Sequence, residues 1–141
     1  MKISARNVLA GTVQNVTKGA VNAEVTLTLG GGEKVVSIIT NASVDRLELK
    51  NGKAAWAVIK ASDVMIGKNV DGARLSARNV LAGELSKVVE GVVNNEAQIK
   101  LAGGTMMVAS ITKAGVDALG LKPGDKVSAI VKASHVLVGV D

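Results

Sequence analysis

Several polar side chains that can bind a ligand occur twice in this chain, 72 residues apart. The segment Ser4–Gly11 recurs unchanged as Ser76–Gly83, and the alignment continues without a gap to Gly67 and Gly139. Because both halves keep the same hydrogen-bond donors, we predict that these donors have the same function in each half. These donors are Ser4, Arg6, Asn7, Thr40, Lys60 and Ser62 in the first half, and Ser76, Arg78, Asn79, Thr112, Lys132 and Ser134 in the second.

The repeated donors combine a guanidinium group, an ammonium group, hydroxyls and an amide. Phosphate near neutral pH often carries a proton that needs an acceptor, whereas sulfate, molybdate and tungstate carry none. A set rich in donors and poor in acceptors therefore favours a fully deprotonated oxyanion. Backbone N–H groups from Thr40 to Ser43, at a predicted helix start, would add further donors.

Structural explanations compete with these assignments. Ser4–Asn7 is also typical of the start of an edge strand, and Lys60–Ser62 of a strand end with a cap. Asn22 and Asn94 fit a turn as well as a ligand site. The repeated carboxylates are expected to be solvated on the second strand or to favour helix starts, and they are Glu24, Glu96, Asp45 and Asp117.

The composition removes the residues on which most catalytic and metal sites depend. The 141 residues include no cysteine and one histidine, His135. Thiolate sites, most zinc or copper sites and nucleophile–histidine pairs in both halves therefore lack their residues. We predict no enzyme, no cofactor and no site for a free metal cation. The formal net charge of +5 favours anionic partners but is spread over both halves.

The duplication predicts two domains, residues 1–68 and 73–141, joined by a short linker at 69–72. The linker region is polar and contains glycine, as expected between compact units. A unit of about 70 residues without disulfides or metals buries too little surface to be very stable alone. We therefore expect the units to associate with each other and to form a homo-oligomer.

Hydrophobic alternation with a period of two and glycine-rich turns predict that each unit is mainly strand. The elements predicted in the first half are strands at 2–16 with a bend at Gly11, at 20–29, 33–39, 54–60 and 64–66, and a helix at 40–49. This order matches a small five-stranded barrel of the OB type. The predicted fold class is mainly β, with two tandem OB-like five-stranded barrels that each carry one short helix.

In both halves the chain resembles the molbindins, a family built of Mop domains. The resemblance covers nearly the whole chain and rests on three motifs that occur in each half. They are Ser-Ala-Arg-Asn at Ser4–Asn7 and Ser76–Asn79, Ile-Thr at 39–40 and 111–112, and Lys-Ala-Ser at Lys60–Ser62 and Lys132–Ser134. Because no DNA-binding or ATPase domain precedes them, a stand-alone pair of Mop domains is expected.

This resemblance implies cytoplasmic binding of molybdate, with tungstate as a mimic, for storage, buffering and homeostasis of molybdenum. It also implies a homotrimer with six Mop units and oxyanion sites between units. It places one type of site at Ser4, Arg6, Asn7, Thr40, Ser43, Lys60, Ala61, Ser62, Ser76, Arg78, Asn79, Thr112, Lys132, Ala133 and Ser134. A second type is placed near the threefold axis, at Gly19, Ala20, Val21, Asn22, Gly91, Val92, Val93 and Asn94.

A nucleic-acid-binding OB module is the main alternative, because the fold and the positive charge fit it. Such modules stack bases on aromatic side chains, and the one aromatic residue here, Trp56, is not repeated. We therefore expect no nucleic-acid partner. The N-terminus lacks the apolar stretch of a signal peptide, and no apolar run approaches the length of a membrane span, so no membrane partner is expected.

Overall fold

In the computed structural model, which describes residues 1–141, the two halves contain the same elements in the same order. The strands are β1 (Asn7–Lys18), β2 (Asn22–Leu29), β3 (Lys34–Thr40), β4 (Ala54–Ile59), β5 (Met65–Gly67), β6 (Asn79–Val89), β7 (Asn94–Leu101), β8 (Met106–Thr112), β9 (Lys126–Val131) and β10 (Leu137–Gly139). The helices are α1 (Asn41–Arg46) and α2 (Lys113–Leu119). The predicted mainly β class with two OB-like five-stranded units is confirmed.

The two five-stranded sheets exchange their last strands. One sheet has the order β10-β4-β1-β2-β3, and the other has the order β5-β9-β6-β7-β8. In the antiparallel pairs formed by the exchanged strands, Ile66 lies opposite Ala129 and Val138 lies opposite Ala57. Each half of the sequence therefore completes the sheet of the other half, so the sheets do not follow the domain boundaries predicted at residues 68 and 73.

The core is aliphatic and continuous between the halves. Strand β2 buries every second side chain, Ala23, Val25, Leu27 and Leu29, as its alternating sequence predicts. These residues belong to one cluster of 24 buried residues drawn from both halves. Since burial of apolar surface is the dominant stabilising contribution to folding, the two halves depend on each other for stability.

The local bounds differ from the predictions in two places. Strand β1 begins at Asn7 rather than at residue 2, and helix α1 ends at Arg46 rather than near residue 49. The strand register runs unbroken through Gly11, with an irregularity between Val13 and Asn15, and the bend at Gly11 stays a prediction. A Cβ at Gly11 would lie 2.7 Å from the carbonyl oxygen of Thr28, so glycine is needed there for close packing.

A local twofold axis relates the two halves. Residues that are equivalent in the repeat meet in space at two places, Gly31 with Gly103 and Asp63 with His135. A Cβ at Gly31 would lie 2.5 Å from the carbonyl oxygen of Gly103, and Asp63 Oδ1 lies 3.8 Å from His135 Nδ1. Equivalent residues can meet only near the axis, and a contact away from it can recur as a reciprocal pair where both of its residues are repeated.

The segment between the halves is ordered by its own hydrogen bonds. Residues Gly72–Arg74 form a 3-10 turn, and the carboxylate of Asp71 accepts a hydrogen bond of 2.9 Å from the N–H of Ala73. Both α-helices are short, and no helix is long and apolar enough to cross a bilayer.

Candidate oxyanion-binding site

A groove of about 500 Å³ brings together five of the residues predicted to bind the anion. They come from the segment before β1 and from the turn after β4, and the groove also receives residues from the second half. The residues that line it are Ile3, Ser4, Ala5, Arg6, Val58, Lys60, Ala61, Ser62, Ser110 and Leu137. The site is therefore built between the two halves of one chain.

The strand register explains why two distant motifs share this groove. Strands β1 and β4 are antiparallel neighbours, and Asn7 pairs with Ile59. The residues next in sequence, Arg6 and Lys60, therefore lie side by side just beyond the paired region. Lys60 also starts a 3-10 turn over Ala61–Asp63, in which the N–H of Asp63 donates to the carbonyl of Lys60 at 2.9 Å.

The guanidinium of Arg6 is held by a carboxylate from the second half. Arg6 donates two hydrogen bonds to Glu96, one of them with an N–O distance of 2.9 Å. The reciprocal pair joins Arg78 to Glu24 at 2.8 and 2.9 Å. The expectation that Glu24 and Glu96 are simply solvated is wrong, because each carboxylate forms a two-point contact with an arginine across the local twofold axis.

The ion pair of the second arginine changes the proton affinity of both partners. Hydrogen bonding from Arg78 holds the pKa of Glu24 below its ordinary value, against a smaller opposing effect of burial. The same hydrogen bond raises the pKa of Arg78. Both groups therefore stay charged throughout the neutral range, and the oxygens of Glu24 are occupied by the guanidinium.

The other donors of the groove have no partner within the chain. Lys60 makes no ion pair, and neither does its counterpart Lys132. The hydroxyls that donate hydrogen bonds within the chain are those of Thr28, Ser37, Thr40 and Thr105. The hydroxyls of Ser4, Ser62 and Ser110 are not among them. An ammonium group and three hydroxyls are thus available to a ligand in this groove.

The asparagines of the predicted site have a different environment. Asn7 is buried, and its side-chain amide accepts from the N–H of Val108 at 2.7 Å and donates to the carbonyl of Val108 at 2.8 Å. Asn79 makes the same two contacts with Val36, at 2.7 and 2.8 Å. The partners lie on β8 and β3, the edge strands of the two sheets, so each amide caps an edge. Their part in anion binding stays a prediction.

The threonines of the predicted site begin the two helices. Thr40 Oγ1 accepts from the N–H of Ser43 at 3.1 Å and donates to the Ser43 hydroxyl at 2.9 Å. Thr112 Oγ1 accepts from the N–H of Gly115 at 3.0 Å. The structure does not place Thr40, Ser43 or Thr112 in the lining of the groove, although Thr112 follows Ser110 by two residues on β8. Their contact with an anion stays a prediction.

The equivalent positions of the second half repeat the donors but not their surroundings. Ser76, Arg78, Lys132 and Ser134 are exposed, and Ala133 is buried. The groove residues Leu137 and Ser110 come from the second half, and their equivalents in the first half, which face the second-half motifs, are Met65 and Ile38. The donor motifs of the halves are therefore the same, whereas the side chains that face them differ.

The second predicted site type lies at the turns that join β1 to β2 and β6 to β7. In the first turn the N–H of Gly19 donates to the carbonyl of Asn22 at 2.7 Å, and the side chain of Asn41 donates to the carbonyl of Gly19 at 2.9 Å. The Oδ1 atom of Asn41 is buried without a partner. The valines of the two turns are largely exposed, at Val21, Val92 and Val93. Anion binding by Gly19, Ala20 and Asn22, or by Gly91 and Asn94, stays a prediction.

Two residues of the site were missed from the sequence. Ser110 is not repeated, so a search for residues shared by both halves passes over it. Glu96 is repeated but alternates outward on its strand. Glu96 and Ser110 are directly opposite each other in the pairing of β7 with β8, so they share one face. Their alignment on that face is the signal by which they could have been found.

The sheets and the groove define a tandem OB-like β protein with a surface site rich in hydrogen-bond donors. Residues 3–66 and residues 75–138 each match the TOBE domain. The chain belongs to the TOBE-domain family and contains two copies of the domain.

Several curated relatives are similar over almost the entire chain. The molybdenum transport protein ModE of Herbaspirillum seropedicae is 39% identical over 140 residues, which are 99% of this chain and 52% of the relative. The molybdenum-pterin-binding protein MopA of Rhodobacter capsulatus is 42% identical over 140 residues, 99% of this chain and 53% of the relative. The chain thus spans about half the length of these two proteins.

A solved structure matches the whole fold. It is that of ModG, described as a cytoplasmic molybdate-binding protein, with molybdate bound. It superposes with a TM-score of 0.95, is 48% identical in sequence and covers 100% of both chains. The predicted resemblance to Mop-type proteins is confirmed, and the prediction that the chain is not an enzyme agrees with relatives described by binding or transport.

Proposed function

We propose that this chain binds molybdate, with tungstate as a mimic, in the groove between its two halves. The observation that carries this proposal is the set of unpartnered donors at Lys60, Ser4 and Ser62, which stand together although they come from separate motifs. The molybdate-bound relative with the same fold over its full length supports the choice of anion.

The chemistry of the groove favours an anion that carries no proton. The Glu96 carboxylate, which pairs with Arg6 of the groove, has both oxygens engaged by that guanidinium, so it offers little capacity to accept a hydrogen bond from a protonated phosphate oxygen. The remaining groups are donors, and the Lys60 ammonium adds an uncompensated positive charge. A tetrahedral dianion without protons satisfies these donors without leaving a hydroxyl of its own unpaired.

We further propose that the protein stores and buffers molybdate in the cytoplasm as a homotrimer with six TOBE units. The exposed valines at the turns of both halves, Val21, Val92 and Val93, support association of chains. Storage fits a site built from surface donors with no catalytic pair. Nucleic acid is not proposed as a partner, because Trp56 is the only aromatic side chain and its indole N–H donates to Asp141 at 3.1 Å.

Titration calorimetry of the purified protein, with its oligomeric state measured beforehand, tests the proposal. We expect saturable binding of molybdate and tungstate and weak binding of sulfate and phosphate. The double variant Arg6→Ala with Arg78→Ala should bind molybdate about tenfold or more weakly, while the oligomer persists, because each groove loses a guanidinium.

Two results would contradict this function. One is the absence of binding of all four anions to the intact protein. The other is unchanged affinity and stoichiometry in the double arginine variant. A parallel titration with a single-stranded oligonucleotide, at low and high salt, examines the alternative, since nucleic-acid binding would weaken steeply as salt rises.

A further inference from the structure

We infer that the two grooves of one chain are unequal and that Ser110 makes the first groove the tighter anion site. This inference rests on the proposed function and names the residue that sets the affinity of one site over the other. The first groove contains Lys60 and receives Ser110 from β8. By the repeat, Lys132 and Ile38 of β3 occupy the equivalent positions, which we call the second groove.

The position of Ser110 directs its hydroxyl to the same surface as the charged groups. Ser110 lies opposite Glu96 in the antiparallel pairing of β7 with β8, and Glu96 binds Arg6. In the other half Ile38 lies opposite Glu24, which binds Arg78. The two backbones are therefore equivalent at this point, and the difference is confined to the side chain.

Packing does not require a hydroxyl at this position. Ser110 and Ile38 are both half-buried at equivalent points of two edge strands, so the fold accepts a branched aliphatic side chain there. The Ser110 hydroxyl has no hydrogen-bond partner in the chain, although apolar Val58 and Leu137 line the groove beside it. Because it is half-exposed and has no partner in the chain, this hydroxyl is available to donate to a bound anion.

Among the residues that line the first groove and their equivalents in the repeat, Ser110 is the one donor without a counterpart, so an anion in the first groove would meet one more donor of this set. A hydrogen bond to a charged ligand is stronger than one between neutral groups, and its loss corresponds to about tenfold in affinity. In the second groove the Ile38 side chain offers no hydrogen bond in its place, so this difference favours the first groove.

The test isolates each groove by removing the lysine of the other. Lys132→Ala leaves the first groove intact, and Lys60→Ala leaves the second. We expect the Lys132→Ala protein to bind molybdate about tenfold more tightly than the Lys60→Ala protein in calorimetric titrations. Adding Ser110→Ala to the Lys132→Ala protein should remove most of this difference, and adding Ile38→Ser to the Lys60→Ala protein should recover part of it.

Matched controls separate the hydroxyl from general effects of substitution. Ser86→Ala, at an exposed serine on β6, should leave the affinity of the Lys132→Ala protein unchanged. Circular dichroism and size-exclusion chromatography of each variant show whether the fold and the oligomer persist, and Ile38→Ser provides a gain of binding that misfolding cannot mimic.

The outcomes distinguish this inference from the function on which it rests. If the unaltered protein binds no molybdate, the proposed function fails. If the unaltered protein binds molybdate but the two lysine variants have equal affinity, or Ser110→Ala changes nothing, the inference of unequal grooves is wrong while the function stands.

Discussion

The asparagines that join the two halves of the chain make the same contacts in both directions, whereas the side chains around the grooves differ. Across the interface, Asn7 contacts Val108 as Asn79 contacts Val36, with matching distances. Each such contact is made twice because the halves are related by a local twofold axis. A substitution at one of these asparagines would remove one of the two equivalent contacts. Both contacts are kept only where both halves keep the asparagine.

The grooves are under no such symmetry requirement. Serine in the first groove corresponds to isoleucine in the second, at Ser110 and Ile38. Close to the local twofold axis the halves also differ, at Glu33 and its counterpart Thr105, and the Glu33 carboxylate accepts from the Thr105 hydroxyl at 2.7 Å. The difference teaches that the duplication preserved the arginine–glutamate and asparagine–valine contacts between the halves, while the surfaces beside them became free to specialise.

The glutamate near the axis illustrates how a unique residue becomes part of the interface. Burial alone would raise the pKa of the Glu33 carboxyl. Hydrogen bonds from the Thr105 hydroxyl and from the N–H groups of Thr105 and Gly103 together have a larger, opposite effect, so the pKa lies below its ordinary value. The carboxylate is thus charged at neutral pH and bound to the second half. Near the axis one such residue serves both halves, so its counterpart need not match.

The largest expected effect tests the equality of the interface. Replacing Asn7 by leucine removes two short hydrogen bonds and leaves the N–H and carbonyl of Val108 unpaired. We expect the free energy of unfolding to fall by about 3 kcal/mol. The reciprocal Asn79→Leu should cost a similar amount, because Asn79 makes the same two contacts with Val36. Urea unfolding followed by Trp56 fluorescence, at one protein concentration, measures both.

Asn15→Leu is the control for this comparison. Asn15 is exposed, and its amide donates one hydrogen bond of 3.2 Å to Thr17, so we expect a change within about 0.5 kcal/mol. A large loss for Asn7→Leu together with a negligible loss for Asn79→Leu would show that the two interfaces are not energetically equivalent, whatever their geometry.

Much of the fold could be predicted because the repeat and the strand alternation are local features of the sequence. The order of elements and the OB-like class follow from them, whereas the grouping of Ser4, Arg6 and Lys60 was implied by the resemblance to the molbindins. The exchange of β5 and β10 could not be predicted, because both sheets present equivalent edges and a short strand satisfies either one. The sequence alone does not show which of the two equivalent sheets each short strand joins.

The predicted site was incomplete for a related reason. A search for residues present in both halves finds shared functions and is blind to a residue such as Ser110 that occurs once. The same search could not show that Glu96 crosses to Arg6, since that contact depends on how the halves pack. Positions within a half were thus accessible from the sequence, whereas contacts between halves required the structure.

A smaller effect is expected where the halves differ at the helix ends. After α2 the chain turns through Gly120 with φ +58°, and after α1 it turns through Glu48 with φ +51°. The following hydrogen bonds match, from Leu49 to Val44 and from Leu121 to Val116, at 3.0 and 3.1 Å. A left-handed conformation is unfavourable for glutamate and natural for glycine, so Glu48→Gly should stabilise the protein by about 0.5–1 kcal/mol.

Gly120→Ala is the reciprocal variant and should destabilise by about 1 kcal/mol, since the same backbone then carries a Cβ. Thermal or urea unfolding of both variants measures the pair. If Glu48→Gly destabilises the protein, the glutamate side chain contributes a contact that outweighs its backbone strain, and the helix ends are not equivalent as the hydrogen bonds indicate.

The smallest expected effect concerns the point at which the interface meets the groove. Glu96 holds Arg6 and also places a negative charge beside the proposed anion. Glu96→Gln keeps the shape of the side chain but removes that charge, so we expect molybdate affinity at the first groove to rise about threefold. Calorimetry in the Lys132→Ala background measures it, and Asp45→Asn, which neutralises the carboxylate paired with Lys18, serves as a control of equal charge change.

The direction of this change decides what the glutamate does. A gain in affinity means that Glu96 competes with the anion for the Arg6 guanidinium. A loss of affinity means that the carboxylate orients Arg6 for anion binding, and that this contribution exceeds the repulsion between Glu96 and the anion. Glu24→Gln, measured in the Lys60→Ala background, poses the same question beside Ile38. Equal responses would show that the arginine–glutamate pair belongs to the symmetric interface, and unequal responses would show that the neighbouring side chain governs it.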